Sequence, residues 1–243
     1  MRPVRRGTSP QTGDFSDYAD TKPNMISRLG SYCSYCERKI VTQLAVEHIQ
    51  PKGLPAYFHQ AGNWNNFLLA CVNCNSTKKD KDVILADVLL PDRDNTFVAF
   101  HYTTDGKVEP ALEIDARLAK KAEHSLALNG LDKAINEVLD ENGNLVAIDR
   151  VSQRMQAWLK AKLAREFIFK NPDNEAVKCL AVENAKCNGF FSIWMTVFHD
   201  DADMLNRLID AFPGTRASGC FDSQGKTISP ALNPDRLQDG GKI

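Results

Sequence analysis

The chain has 243 residues, 43% hydrophobic and 25% charged, the balance of a globular protein with ample material for a core. That excludes a disordered chain, a collagen-like repeat and a disulfide-stapled miniprotein. Its 30 Lys and Arg against 31 Asp and Glu leave a formal net charge of −1, so the chain lacks the global basicity of a DNA-coating protein. Any nucleic-acid contact must come from a local patch or with the help of a partner.

No run approaches the ~18 apolar residues of a membrane span. The basic start, Met1 to Pro10, has no apolar stretch behind it and does not read as a secretory signal. The expected location is cytoplasmic, with no membrane contact. Four of the seven cysteines fall in two CxxC pairs, which in a leaderless chain points to metal binding in a reducing compartment.

Residues 1–24 are rich in Pro, Gly, Ser, Thr and Asp and read as an extended N-terminal segment, with Arg2, Arg5 and Arg6 as a small basic tag. Residues 25–110 read as a compact module with a connector over 83–110. Within 33–82, Arg38, Lys39, Lys52, Lys78, Lys79 and Lys81 outnumber Glu37, Glu47, Asp80 and Asp82. In the connector, Thr96 to Tyr102 is strand-like and is followed by an Asp105-Gly106 turn.

From 111 to 243 the pattern turns helical. Asp115 can cap a helix carrying Leu118, Ala122 and Leu126 that stops at Asn129-Gly130. After Asp149, the spacing of Val151, Met155, Trp158, Leu159, Leu163 and Phe167 predicts one apolar helix face, ended by Asn171-Pro172. A helix over 174–187 would turn Ala176, Val177, Leu180 and Ala181 inward. Phe190 to Phe198 reads as a buried helix. Met204, Leu205, Leu208, Ile209 and Phe212 mark another, ended by Pro213-Gly214, and the tail after 222 reads as loose. These helices offer either a docking surface for a partner or simply their own core. The fold class expected is α+β.

The chemistry concentrates between the CxxC pairs. Cys33-Ser34-Tyr35-Cys36 and Cys71-Val72-Asn73-Cys74 have the spacing of two zinc knuckles, and together they complete a closed, structural Cys₄ site. Such a site contributes roughly 10–16 kcal/mol of apparent binding energy in small zinc modules. The alternative is four buried free cysteines. Between the knuckles, apolar residues around Glu47-His48 predict a short strand that ends at Pro51. An acid followed directly by His at a strand end can set a metal-binding carboxylate and an imidazole base against one phosphate. Asn75 lies just past the last cysteine, where its side-chain oxygen could be a second ligand to that metal.

The run CxxC, Glu47-His48 followed by Pro51-Lys52, Trp64 to Cys71, and Cys74-Asn75 with Lys78 resembles the zinc-stapled HNH endonucleases, a ββα-metal family, over about residues 30–82. The resemblance implies a metal-dependent DNA endonuclease. His48 would be the general base, Glu47 and Asn75 would hold one divalent ion, Mg²⁺ or Mn²⁺, and Asn66 would fix the His48 segment across the loop. The family's final His is Asn75 here, which keeps an oxygen ligand. Lys52, Lys78 and Lys79 are either phosphate contacts or ordinary solvated charges. The wider layout adds Leu89 to Thr96 and Gly189 to Met195, and is similar to HNH proteins encoded beside an SMC/ABC-type ATPase, the Septu anti-phage type. That implies a co-encoded ATPase partner. Competing readings are a stand-alone restriction or recombination nuclease and a zinc-stabilised nucleic-acid-binding module that does not cut.

The remaining candidates read as structural. His59, His101, His124 and His199 lack partner motifs. Cys179, Cys187 and Cys220 read as buried small hydrophobes. Trp64, Trp158 and Trp194 read as core, and Asp200, Asp201 and Asp203 as a helix start.

Overall fold

The computed structural model describes residues 1–133 and 150–243; Asp149, which precedes the long helix, lies outside the described residues. Strand β1 (Ala45–His48) pairs antiparallel with β2 (Phe67–Ala70), which sets Glu47 opposite Leu68 and His48 opposite Phe67. The wholly apolar Phe-Leu-Leu-Ala run of β2 is buried at every position, as suits a strand covered on both faces. Helix α1 (Lys22–Leu29) packs on both strands, and α2 (Val72–Lys78) lies against β1. Cys71 starts α2 as its N-cap, with its sulfur accepting from the Cys74 amide at 3.5 Å. The result is a ββα unit.

The connector departs from the strand expected over Thr96 to Tyr102. Thr96–Ala99 forms one helical turn, α3, and only Phe100–Tyr102 is a strand, β3, paired with β4 (Val108–Pro110) across the expected turn. Long-range anchors account for the difference. The Asn95 amide donates to Ile243 O, its side chain to Cys220 O and Ile228 O, and Thr96 Oγ1 to Met1 O. These contacts fix the chain in a turn where the local sequence favours extension.

Helix α4 (Ala116–Asn129) is capped by Asp115, whose carboxylate accepts from the Leu118 amide at 2.8 Å, and ends at Gly130 in the left-handed region (φ 62°). Helices α5 (Arg150–Lys170), α6 (Glu175–Asn188), α7 (Phe191–Val197) and α8 (Ala202–Ala211) pack α5 on α6 and α7, and α8 on α6 and α7. Helices α7 and α8 bury the residues expected, and Asp201 caps α8.

Three expectations are corrected. In α5 the buried residues are Arg150, Arg154, Ala157, Trp158, Ala161 and Ile168, whereas Met155, Leu159, Leu163 and Phe167 face outward, so the inward face is rotated from the one predicted. In α6, Ala181 and Ala185 are buried, Val177 is half-buried, and Ala176 and Leu180 are exposed. Small alanines let these helices approach closely, and burial follows that approach. Of the three cysteines outside the CxxC pairs, only Cys220 is buried.

Both ends of the chain are packed in. Arg2 and Arg6 are buried and are no solvated tag, and in the tail Ala231, Leu237 and Ile243 are buried too. Arg2 donates to Leu29 O and Pro213 O, and Arg93 to Gln238 O. One continuous hydrophobic cluster runs from the start of the chain through the ββα unit to the helices and the tail.

Candidate active site and metal centre

The two knuckles converge. The sulfurs of Cys33, Cys36, Cys71 and Cys74 are buried and lie within 4.8 Å of one another. A tetrahedron of Zn–S bonds of about 2.3 Å has edges of about 3.8 Å, and Cys36 and Cys71 stand 3.7 Å apart. The cluster therefore fits a zinc ion. Four thiolates exceed the charge of one Zn²⁺, and two guanidiniums offset the excess. Arg38 donates to Cys71 Sγ at 3.3 Å and Arg150 to Cys74 Sγ at 3.5 Å. Arg150 also donates to Asn129 O and Gly130 O, so one side chain ties the metal centre to the end of α4.

His48 ends β1, at the end of the hairpin away from Cys71. Its Nε2 lies 3.0 Å from Ala61 O. A carbonyl only accepts, so Nε2 carries the proton and Nδ1 keeps a free lone pair. The ring is gripped edge-on by Tyr18 and Phe67, with centroids 4.8 Å and 5.1 Å away. Burial lowers the His48 pKa below the ordinary imidazole value; the Ala61 contact opposes this, and Lys52 and Lys78 add to it. The imidazole is therefore held in its neutral, basic form at neutral pH.

The loop that carries Ala61 is braced twice. Asn66, at the end of a 3-10 turn (Trp64–Asn66), accepts from the Gln50 amide at 2.8 Å and donates to Gln50 O at 2.9 Å and Gln60 O at 3.3 Å. The N-terminal segment closes the far side, where the Phe15 amide donates to Gly62 O. A Cβ at Gly62 would stand 2.2 Å from Phe15 O, so the approach needs glycine there.

Glu47 is enclosed. Tyr35, inside the first knuckle, donates to its Oε2 at 2.5 Å, and the Lys78 ammonium stands 2.6 Å from Oε1. Oε1 takes no aligned hydrogen bond; its one neighbour of opposite character is that cation. Burial raises the Glu47 pKa, and Lys78 and Tyr35 pull it back. Lys78 also donates to His48 O at 2.7 Å and is 1% exposed. It is thus committed to the interior, and its expected role as a phosphate contact is corrected. Lys79 and Lys52 are exposed; Lys79 follows the end of α2, and Lys52 sits over the Tyr18 ring at 3.8 Å. Asn75 is half-buried, one turn before Lys78 on the same side of α2.

For a divalent ion, Glu47 and Asn75 offer the hard oxygen donors that Mg²⁺ or Mn²⁺ takes. Oε1 of Glu47, held by the Lys78 ammonium alone, would be open to such an ion once Lys78 withdraws.

Sequence reasoning missed Arg6, Tyr18, Tyr35, Arg38, Ala61 and Arg150. Arg6 donates to Phe67 O at 2.6 Å and Asn65 O at 2.8 Å and pairs with Asp92 at 2.8 Å, fixing the strand opposite His48. Asp92 is buried, but Arg93 and Arg6 outweigh that burial and hold it at about 2. Tyr35 had a signal in its place between two zinc ligands; Arg6 and Tyr18, in a Gly- and Ser-rich lead-in, had none.

Residues 33–81 match the family model for HNH endonuclease. This chain therefore carries an HNH nuclease domain, whose chemistry is metal-dependent hydrolysis of phosphodiester bonds. A search of curated proteins finds no match to the chain. Among the described residues, no helix is long and apolar enough to cross a membrane.

Proposed function

We propose that this protein is a DNA endonuclease acting as the nuclease effector of a bacterial anti-phage system, in the cytoplasm, together with a co-encoded SMC/ABC-type ATPase. The observation that carries the cleavage reading is the His48 ring, with Nε2–H bound to Ala61 O and Nδ1 left as a base. His48 takes a proton from the attacking water at Nδ1. The Ala61 contact strengthens as the imidazolium forms, since it becomes a charge-assisted bond. Asn66 keeps the loop in register through both polar groups of Gln50. Glu47 and Asn75 would hold the divalent ion, which supplies charge stabilisation at the non-bridging and leaving oxygens. Lys52 and Lys79 would contact phosphates of the substrate.

The partner reading is supported by the wider sequence resemblance and by the outward stripe of Met155, Leu159, Leu163 and Phe167 on α5. The test is nicking of supercoiled plasmid with Mg²⁺ or Mn²⁺, by the chain alone and with the co-encoded ATPase. His48→Ala should fold, retain zinc and lose about 10²–10⁴-fold in rate. Undiminished nicking by that variant would refute the role of His48. Equal activity with and without the ATPase would refute the partnership.

A further inference from the structure

Glu47 is short of negative charge for the work assigned to it. It is one carboxylate, and its Oε1 already faces the Lys78 ammonium at 2.6 Å. Asn75, the second proposed ligand, is neutral. Asp92, the other buried carboxylate that acts on Glu47, is committed to Arg6 and Arg93. Among the described residues, the one grouping of three or more metal-ligating side chains is the cysteine cluster. A divalent cation placed on Glu47 beside Lys78 would therefore gather three positive charges on a single negative one, in a site closed to water. Lys78 would not lose every partner on leaving Glu47, since its Nζ also donates to His48 O at 2.7 Å, and its four-carbon stem can turn.

We propose that Lys78 is the resident cation of Glu47, and that a divalent ion occupies Glu47 only in exchange for it. The proposal rests on the reading of Glu47 as a metal ligand. It makes the free enzyme a weak cation binder. The phosphates of DNA, by adding negative charge, favour the exchange, so the ion settles when substrate arrives. It also explains why the lysine is delivered from the second zinc knuckle and the tyrosine from the first: both partners of Glu47 are set by the zinc scaffold, and of the two only Lys78 carries a charge that competes with a metal.

The test is Mn²⁺ titration of the zinc-loaded full chain, followed by the electron paramagnetic resonance signal of free Mn²⁺. Lys78→Met should bind Mn²⁺ at least about tenfold more tightly than the unaltered protein, with zinc content and circular dichroism unchanged. The double variant Glu47→Gln, Lys78→Met should lose that gain. Equal affinity of Lys78→Met and the unaltered protein overturns the exchange. A double variant that keeps the gain shows the ion sits elsewhere, which overturns the ligand reading beneath it as well. If Lys78→Met does not fold, anomalous diffraction from crystals of the unaltered protein soaked in Mn²⁺ decides. An ion on Glu47 with Lys78 withdrawn beyond ~4 Å is the expected result, and an ion there with the ion pair intact overturns the proposal.

Discussion

The molecule has two buried anionic centres, the cysteine cluster and Glu47, and each is neutralised in its own way. The four cysteines would surround a zinc ion from all sides, and two guanidiniums held by several other contacts stand against their sulfurs. Glu47 has one carboxylate, one lysine and one tyrosine, and only the flexible lysine carries charge. The first arrangement fits a metal held for good; the second, on the proposal above, would suit exchange. If Glu47 holds the divalent ion as proposed, charge number and side-chain freedom would separate the two sites more than ligand identity does.

The strongest blow to this contrast is at the cysteines. Cys36→Ser should yield unfolded or insoluble protein, because zinc sites of this kind contribute roughly 10–16 kcal/mol. Elemental analysis of the unaltered protein should find about one zinc per chain. At the other centre, Lys78→Met should lower stability by about 3–5 kcal/mol, read by chemical denaturation, because it leaves a buried carboxylate unpaired; a divalent salt should restore part of that loss. Lys78→Met as stable as the unaltered protein would remove the contrast.

A third prediction concerns acid. Asp92 titrates at about 2 in the folded chain against an ordinary 3.8. Its pKa is depressed by folding, so its contribution is complete above the unfolded value and is lost as pH falls from about 4 to about 2. The size is about 2 kcal/mol. Denaturation curves across that window should show the loss, and Asp92→Asn should flatten that part of the profile. The smallest effects belong to the exposed lysines. Lys52→Gln and Lys79→Gln should each reduce the slope of log DNA affinity against log salt by about 0.9. Lys78→Gln should leave the slope unchanged, because that ammonium is buried.

What was legible follows from the same physics. The CxxC spacings, the strand under Glu47-His48 and the caps at Asp115 and Gly130 are local: a few neighbouring residues dictate each geometry. The expected bracing role of Asn66 has a matching set of hydrogen bonds to Gln50. The α5 face was misread because periodicity counts apolar bulk. Here Ala157 and Ala161 admit neighbouring helices, and Arg154 is buried with its Nε donating to Gly106 O. Arg2, Arg6 and the tail were misread because their partners lie far along the chain, where composition says nothing. The enclosure of Glu47 depends on three segments meeting, and no spacing rule announces it.

The threading of the N-terminal segment sets a timetable for the enzyme. Arg6 fixes the strand facing His48 by donating to Phe67 O and pairs with Asp92, and Arg93, paired with the same Asp92, reaches Gln238 O. These are contacts of very long sequence separation, the kind that form late. A chain emerging at about 5–20 residues per second needs on the order of 10–30 s after residue 81 to expose residue 238. During that interval the nuclease sequence is already outside the ribosome, but the brace behind its base is incomplete. A product truncated before residue 238 would carry every motif residue and still lack this last tie on Arg93, so plasmid nicking by that product is expected to be slower than by the full chain.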